Sequence, residues 1–266
     1  MPLHCRLHGV TIPTPTAYAS SAHRAHRPVL PSTLTDTNRR ALNQGRARSG
    51  CFRRLVVRSS KDGITPWSTP GYKGAAVSQL PEAAQAGVLA GVFAALGVAT
   101  TASCTLLGPA VASTVPGLYA FSESTWPLIG LTYVAAGVAH FGVEQGFLDM
   151  YPHRGAWGIW YLPGSPSFHV RWTGVAEVAG GAGLLLGALH LPLLPEWLES
   201  ASALGLFALS WAVYPANIYM FTHNAPGPVP EGQELPVINW QGHLARGVLQ
   251  VFLLSILWGI AHPMQQ

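Results

Sequence analysis

Five apolar stretches, each about 20 residues long or longer, dominate the sequence beyond residue 80: 83–107, 126–147, 171–191, 202–222 and 243–261. About 20 residues of helix, rising 1.5 Å each, cross about 30 Å of hydrocarbon, and a backbone in lipid must satisfy its own hydrogen bonds. These stretches therefore predict an all-α membrane protein of five transmembrane helices. Proline and glycine punctuate the gaps, as at Gly108-Pro109, Pro116-Gly117, Pro163-Gly164, Pro192 and Pro195. Only 10% of the 266 residues are charged, against about a quarter in a soluble domain, which excludes an ordinary cytosolic enzyme.

The net charge of +4 conceals two unlike segments. Residues 1–60 hold ten of the fifteen basic residues, all arginine, and one of the eleven acids, Asp36. The remainder is acidic, so the basic character says nothing about nucleic acid as a partner, and none is expected. An arginine-rich, acid-poor segment rich in Ser, Thr and Ala and broken by proline has the composition of an organelle transit peptide. Residues 1–58 are read as a chloroplast transit peptide, with the mature start near the Phe52-Arg53-Arg54-Leu55-Val56-Val57-Arg58-Ser59-Ser60 run. A basic tail on anionic lipid and a mitochondrial address are the alternatives. Cys5 and Cys51 would leave with that peptide, and Cys104 alone cannot form a disulfide or a thiolate metal site.

Residues 59–82 follow as a stromal linker, 83–107 as an extra helix, and 125–261 as the main membrane domain. With five spans, Lys61, Lys73, Arg154, Arg171 and Arg246 all fall on one side, while Glu123, Glu196 and Glu199 fall on the other. Basic residues stay on the cytoplasm-like side, so the mature N-terminus is expected in the stroma of a thylakoid or inner-envelope membrane. Gly87-x-x-x-Gly91, Gly142-x-x-x-Gly146 and Gly183-x-x-x-Gly187 are spaced for close helix approach. Trp157-Gly-Ile-Trp160-Tyr161 is expected as a short helix on the membrane surface.

Ionisable side chains in hydrocarbon cost about 2.5 to 3.5 kcal/mol each unless paired or near an interface. Here they are His140 and Glu144 on the second span, Glu177 on the third, and His243 and Arg246 on the fifth, with the amide of Asn217 on the fourth. At 1.5 Å per residue they lie about 5 to 10 Å below the stromal surface. His140 and Glu144, four apart, are expected on one helix face. Two readings stand open. Either Glu144 or Glu177 pairs with Arg246 to fix helix register while His140 bonds a backbone carbonyl, or the cluster lines a pocket for a polar headgroup such as a quinone ring. Metal is not expected, since the two histidines lie on different helices without a tight ligand motif.

The strings Tyr133-Val-Ala-Ala-Gly-Val-Ala-His140-Phe141, Gly174-Val-Ala-Glu177-Val-Ala-Gly180-Gly181 and Tyr214-Pro215-Ala-Asn217-Ile-Tyr219-Met220 resemble the DoxX-like family of small four-helix membrane proteins. The resemblance covers about residues 125–260. It implies that the last four spans form the core bundle and that His140, Glu177 and Asn217 occupy the family's polar positions. Some of its members are associated with membrane systems that pass electrons to quinone. The expected role is an accessory or binding subunit of a redox or photosynthetic membrane complex, not an enzyme by itself. Its expected partners are membrane lipid and a membrane complex or a second copy. A purely structural protein and a proton-coupled transporter are the alternatives.

Overall fold

The computed structural model describes Val56–Val57, residues 65–230, Gln233 and residues 235–262, all within one compact unit, Arg53–Gln266. The expected transit peptide lies outside the described residues, apart from Val56 and Val57. Those two form β1 (Val56–Val57), which pairs antiparallel with β2 (Leu235–Pro236).

The rest is helical: α1 (Glu82–Ala102), α2 (Gly108–Thr114), α3 (Pro116–Thr125), α4 (Ile129–Gly142), α5 (Glu144–Asp149), α6 (Pro166–Gly187), α7 (Leu198–His223) and α8 (Trp240–Ala261). Three segments are long and apolar enough to cross a membrane: Glu82–Thr114, Leu198–His223 and Trp240–Ala261. Their outward faces carry exposed Val98, Leu106, Leu204, Leu249 and Phe252, a pattern that water would penalise and lipid would not.

Local sequence explains where the helices begin and end. Ser165 caps α6 by accepting the Phe168 N–H at 3.1 Å, with Pro166 as the first helical residue. Asn239 caps α8 in the same way through the Gly242 N–H at 2.8 Å. At its far end α7 stops at Asn224, which takes a left-handed conformation with φ of 55°.

Several expected boundaries are corrected. Gly108-Pro109 does not end the first span: a π-helical turn over Ser103–Leu107 carries α1 into α2. Proline lacks the N–H of a regular helix, and the wider turn absorbs that loss. The expected gap before the second span is itself helical, as α3. The second span, expected as one helix over 126–147, is interrupted at Val143, whose φ and ψ are −132° and 44°. Consequently His140 and Glu144 do not share a helix face. Trp157 does not lie on a surface helix either. It sits in a 3-10 turn, Ala156–Gly158, at φ of 55°, is 1% exposed, and donates its Nε1–H to Thr222 Oγ1 at 3.0 Å.

Segment 65–81, expected as a linker, packs into this end of the bundle. Trp67 is 1% exposed and donates its Nε1–H to the Asp149 carbonyl at 2.8 Å. Tyr219 donates its hydroxyl to the Trp67 carbonyl, and Asn224 reaches the Gly74 carbonyl at 3.3 Å.

The helices pack in the order α4, α6, α7, α8, with α1 laid against α7 and α8. The closest junction is α4 on α6. A Cβ placed on Gly130 would stand 2.6 Å from the Gly181 carbonyl oxygen, and one on Gly181 would stand 2.6 Å from the Gly130 carbonyl oxygen. Two turns along, a Cβ on Gly137 would stand 2.6 Å from the Gly174 oxygen. Of the three glycine pairs read from the sequence, Gly183 and Gly187 face α7 at Ser202 and Glu199. Gly87 and Gly91 face open space, and Gly142 is open while Gly146 lies under Pro228 and Val229.

The seam yields a direct expectation. Gly137→Ala or Gly181→Ala must push two helix backbones apart, and each should cost about 1 to 3 kcal/mol. Gly91→Ala meets nothing and should fall within about 0.5 kcal/mol of wild type. Thermal unfolding of the detergent-solubilised protein checks both; equal effects at Gly91 and Gly137 would refute the seam.

Candidate functional site

The side chains that matter are set by helical spacing. Tyr133 and His140 are seven apart on α4, and Ser210 and Asn217 are seven apart on α7, so each pair shares a face two turns long. Tyr133 and Ser210 meet across the bundle, their hydroxyl oxygens 2.6 Å apart. Neither was singled out from the sequence as a site residue, although the seven-residue spacing from His140 and Asn217 could have indicated both.

His140 is buried at 6% exposure. Its Nδ1–H donates to the Val170 carbonyl at 2.7 Å, as expected of a histidine bonded to backbone, and its ring lies 3.8 Å from that of Phe147. Its other nitrogen, Nε2, faces Glu177 Oε2 at 3.5 Å. Gly174 makes room for this arrangement, because a Cβ there would meet the His140 Cβ at 2.6 Å.

Neither acid pairs with Arg246, which corrects the expected ion pair. Arg246 donates to the Asn217 side-chain oxygen instead. Glu144, carried away from His140 by the break at Val143, takes both Nε and Nη2 of Arg171 at 2.9 and 3.2 Å on an exposed surface. It stands outside the cluster. His243 stacks edge-on against Phe221, with ring centroids 5.3 Å apart, beside Arg246 on α8.

Two adjoining spaces, which share lining residues, lie beside these groups. An inner cavity of about 200 Å³ is walled by Glu177, Tyr133, Thr132, Ser210, Asn217 and Gln250, with apolar residues between them. Outside it, a groove of about 980 Å³ runs between α1, α7 and α8, its lining mostly apolar but including Asn217, His243 and Arg246. Thr132, Asn217, Gln250 and Leu253 line both spaces. The structure thus sets Glu177, Asn217, His243 and Arg246 along two adjoining spaces, with His140 behind Glu177 and lining neither, and Glu144 excluded.

Past the end of the bundle lies a second, loop-borne cluster. His153 Nδ1 donates to the Tyr219 hydroxyl at 2.8 Å, and its ring stands edge-on to that of His223. Burial pushes the His153 imidazole below its ordinary value. Among the described residues no group of three or more His, Cys, Asp or Glu is arranged to hold a metal ion.

Removing the acceptor tests how tightly the outer part is built. Asn217→Leu leaves the half-buried Arg246 guanidinium without its partner and should cost about 1.5 to 3 kcal/mol, whereas Asn217→Leu with Arg246→Met should recover most of it. By contrast Glu144→Gln, which opens only an exposed pair, should cost less than about 1 kcal/mol. Accumulation in membranes and thermal unfolding read all three.

No curated protein matches the chain, and no solved structure does. A family model described as a domain of unknown function, DUF8561, matches residues 129–261, which run from the first residue of α4 to the last of α8 and contain every residue of the inner cavity. The match spans half of the sequence, and the chain belongs to the DUF8561 family.

Proposed function

We propose that this chain is a chloroplast membrane protein, of the thylakoid or inner envelope, with five spans of which the last four form a DoxX-like bundle. It acts as a binding subunit beside a redox or photosynthetic complex and holds an amphipathic molecule with a quinone-like headgroup. The observation that carries this reading is the junction of the two spaces. The apolar groove shares Thr132, Asn217, Gln250 and Leu253 with a smaller cavity, itself mainly apolar, to whose lining Glu177, Tyr133 and Ser210 bring a few polar groups. Ligand sites are commonly apolar clefts of roughly 300 to 1,000 Å³ with a few convergent polar groups, and the groove falls within that range. Exposed Leu244 and Phe252 stand at its rim, so an isoprenoid or acyl tail could lie in the groove while remaining in contact with lipid.

Five spans remain compatible with the broken second segment. From Trp126 to Asp149 the helical turns add up to about 36 Å, more than the hydrocarbon thickness, and a break within a span is tolerated where neighbouring helices cover it. Ser165 to Gly187 is long enough as well, and its lower hydropathy comes from residues such as Arg171, Thr173 and Glu177.

The structural alternative draws on the Arg246–Asn217 and His140–Val170 bonds, which satisfy polar groups with no ligand at all. Mass spectrometry of the gently solubilised protein from native membranes separates the two. The binding reading expects a stoichiometric small molecule that is lost from the Asn217→Leu, Arg246→Met double variant while the protein still accumulates. Absence of any bound molecule from wild type would favour packing alone. N-terminal sequencing of the same material should find a start between Val56 and Lys61; an intact Met1 on organelle protein would remove the chloroplast assignment.

A further inference from the structure

Glu177 is about nine-tenths buried, and its Oε2 has no hydrogen-bond partner among the described residues. A buried acceptor left open costs about 1 to 3 kcal/mol, and more if charged, so this oxygen calls for a proton or a donor. His140 Nε2, at 3.5 Å, is close enough for an ion pair and too far for a well-formed hydrogen bond. The imidazole is held in place by the Val170 carbonyl on Nδ1 and by the Phe147 ring on its face. With Nδ1 keeping its proton, the exchangeable proton of the couple sits either on Nε2 or on the carboxyl.

The other groups around the acid leave the couple to itself. From α4 comes Tyr133, whose hydroxyl is engaged with Ser210. From α7 come the neutral Ser210 and Asn217, and from α8 the neutral Gln250, with Arg246 beyond Asn217 and bonded to it. On α6 itself the next charged residue toward the N-terminus is Arg171, held by Glu144, and the next titratable one beyond it, His169, is bonded to the Pro163 carbonyl.

We infer that Glu177, at the wall of the inner cavity, and His140 behind it hold one exchangeable proton, and that the headgroup taken there is a neutral ring with a carbonyl oxygen, of the benzoquinone class, which accepts a hydrogen bond from the Glu177 carboxyl when it carries that proton. This deepens the ligand-binding reading and rests on it. With the proton on Glu177, the carboxyl donates to the carbonyl, and His140 serves as the site to which that proton can move. Once it leaves, the carboxylate is only an acceptor and repels that oxygen. An anionic headgroup suits the cavity poorly, since its one ionisable acid would repel it whenever deprotonated.

The test is binding of decylbenzoquinone to the full-length protein in phosphatidylcholine nanodiscs, measured from about pH 5 to about pH 10. Wild type should bind with constant affinity at the acidic end. Above the pH at which the couple gives up its proton, affinity should fall about tenfold per pH unit, the signature of one linked proton. Glu177→Gln keeps an N–H donor at every pH and should remove that slope. Wild-type binding with no pH slope overturns the proton site alone and leaves the ligand-binding reading standing, as does a slope that survives in Glu177→Gln. No binding by wild type at any pH overturns both. If the variant does not accumulate, the infrared carbonyl band of a protonated carboxylic acid in wild type decides: a shift on adding decylbenzoquinone supports the couple, and an unmoved band overturns it.

Discussion

Backbone-to-backbone contact between α4 and α6 is the constraint from which the site follows. Without a hydrophobic force between helices in lipid, association depends on close van der Waals packing. Gly130 and Gly181 meet reciprocally, and Gly137 meets Gly174 two turns along. Because α4 is held so close to α6, His140 can reach past its own helix to the Val170 carbonyl and present Nε2 to Glu177. Larger residues along the seam would separate the helices and withdraw the imidazole from both partners at once.

The side of α4 adjoining the seam behaves differently. Toward α8 it offers Thr132, Tyr133 and Ala136, and across from them stand Gln250 and Leu253 with the inner cavity between. Polar groups pair around its edges, Tyr133 with Ser210 and Arg246 with Asn217. Such pairing lowers the cost of placing them in a membrane. Leu184, Leu206 and Leu257, each at most 1% exposed, close the bundle in an apolar cluster that takes in Tyr133 and reaches the far ends of α6 and α8. His140, Glu177 and Arg246 all lie toward the other end of these helices.

Much of this could be read from the sequence, and the exceptions have physical causes. The first, fourth and fifth apolar runs became long helices because length and hydropathy alone determine them. The common depth of His140, Glu177, Asn217 and Arg246 followed from antiparallel helices rising 1.5 Å per residue. Spacing of four placed Glu144 beside His140 only on the assumption of an unbroken helix, and the Val143 dihedrals remove that assumption. Pattern also misdirected the glycine reading. The seven-residue spacing that matters, Gly130 with Gly137 and Gly174 with Gly181, lies between helices whose pairing no single sequence reveals, whereas Gly87 and Gly91 match a familiar motif and face nothing. Trp157 was misread for a similar reason: tryptophan in a loop suggests an interface, but Gly155 and Gly158, at φ of 88° and 74°, let the chain turn the indole inward onto Thr222.

The seam also explains why Glu177 and His140 stand apart rather than in a tight pair. For the imidazole to approach the carboxylate more closely, either the α4 backbone must advance or the ring must leave Val170. The first is blocked at Gly174, where even an added Cβ would already sit 2.6 Å from the His140 Cβ and 3.0 Å from the Gly137 oxygen. The second exchanges a 2.7 Å bond to a buried carbonyl for a bond to the acid, leaving that carbonyl to the Thr173 hydroxyl and to its own helix. On the histidine side the separation is therefore set by backbone packing and by the bond to Val170. An acid so placed keeps one buried oxygen without a hydrogen-bonded donor among the described residues, on a residue that also lines the inner cavity.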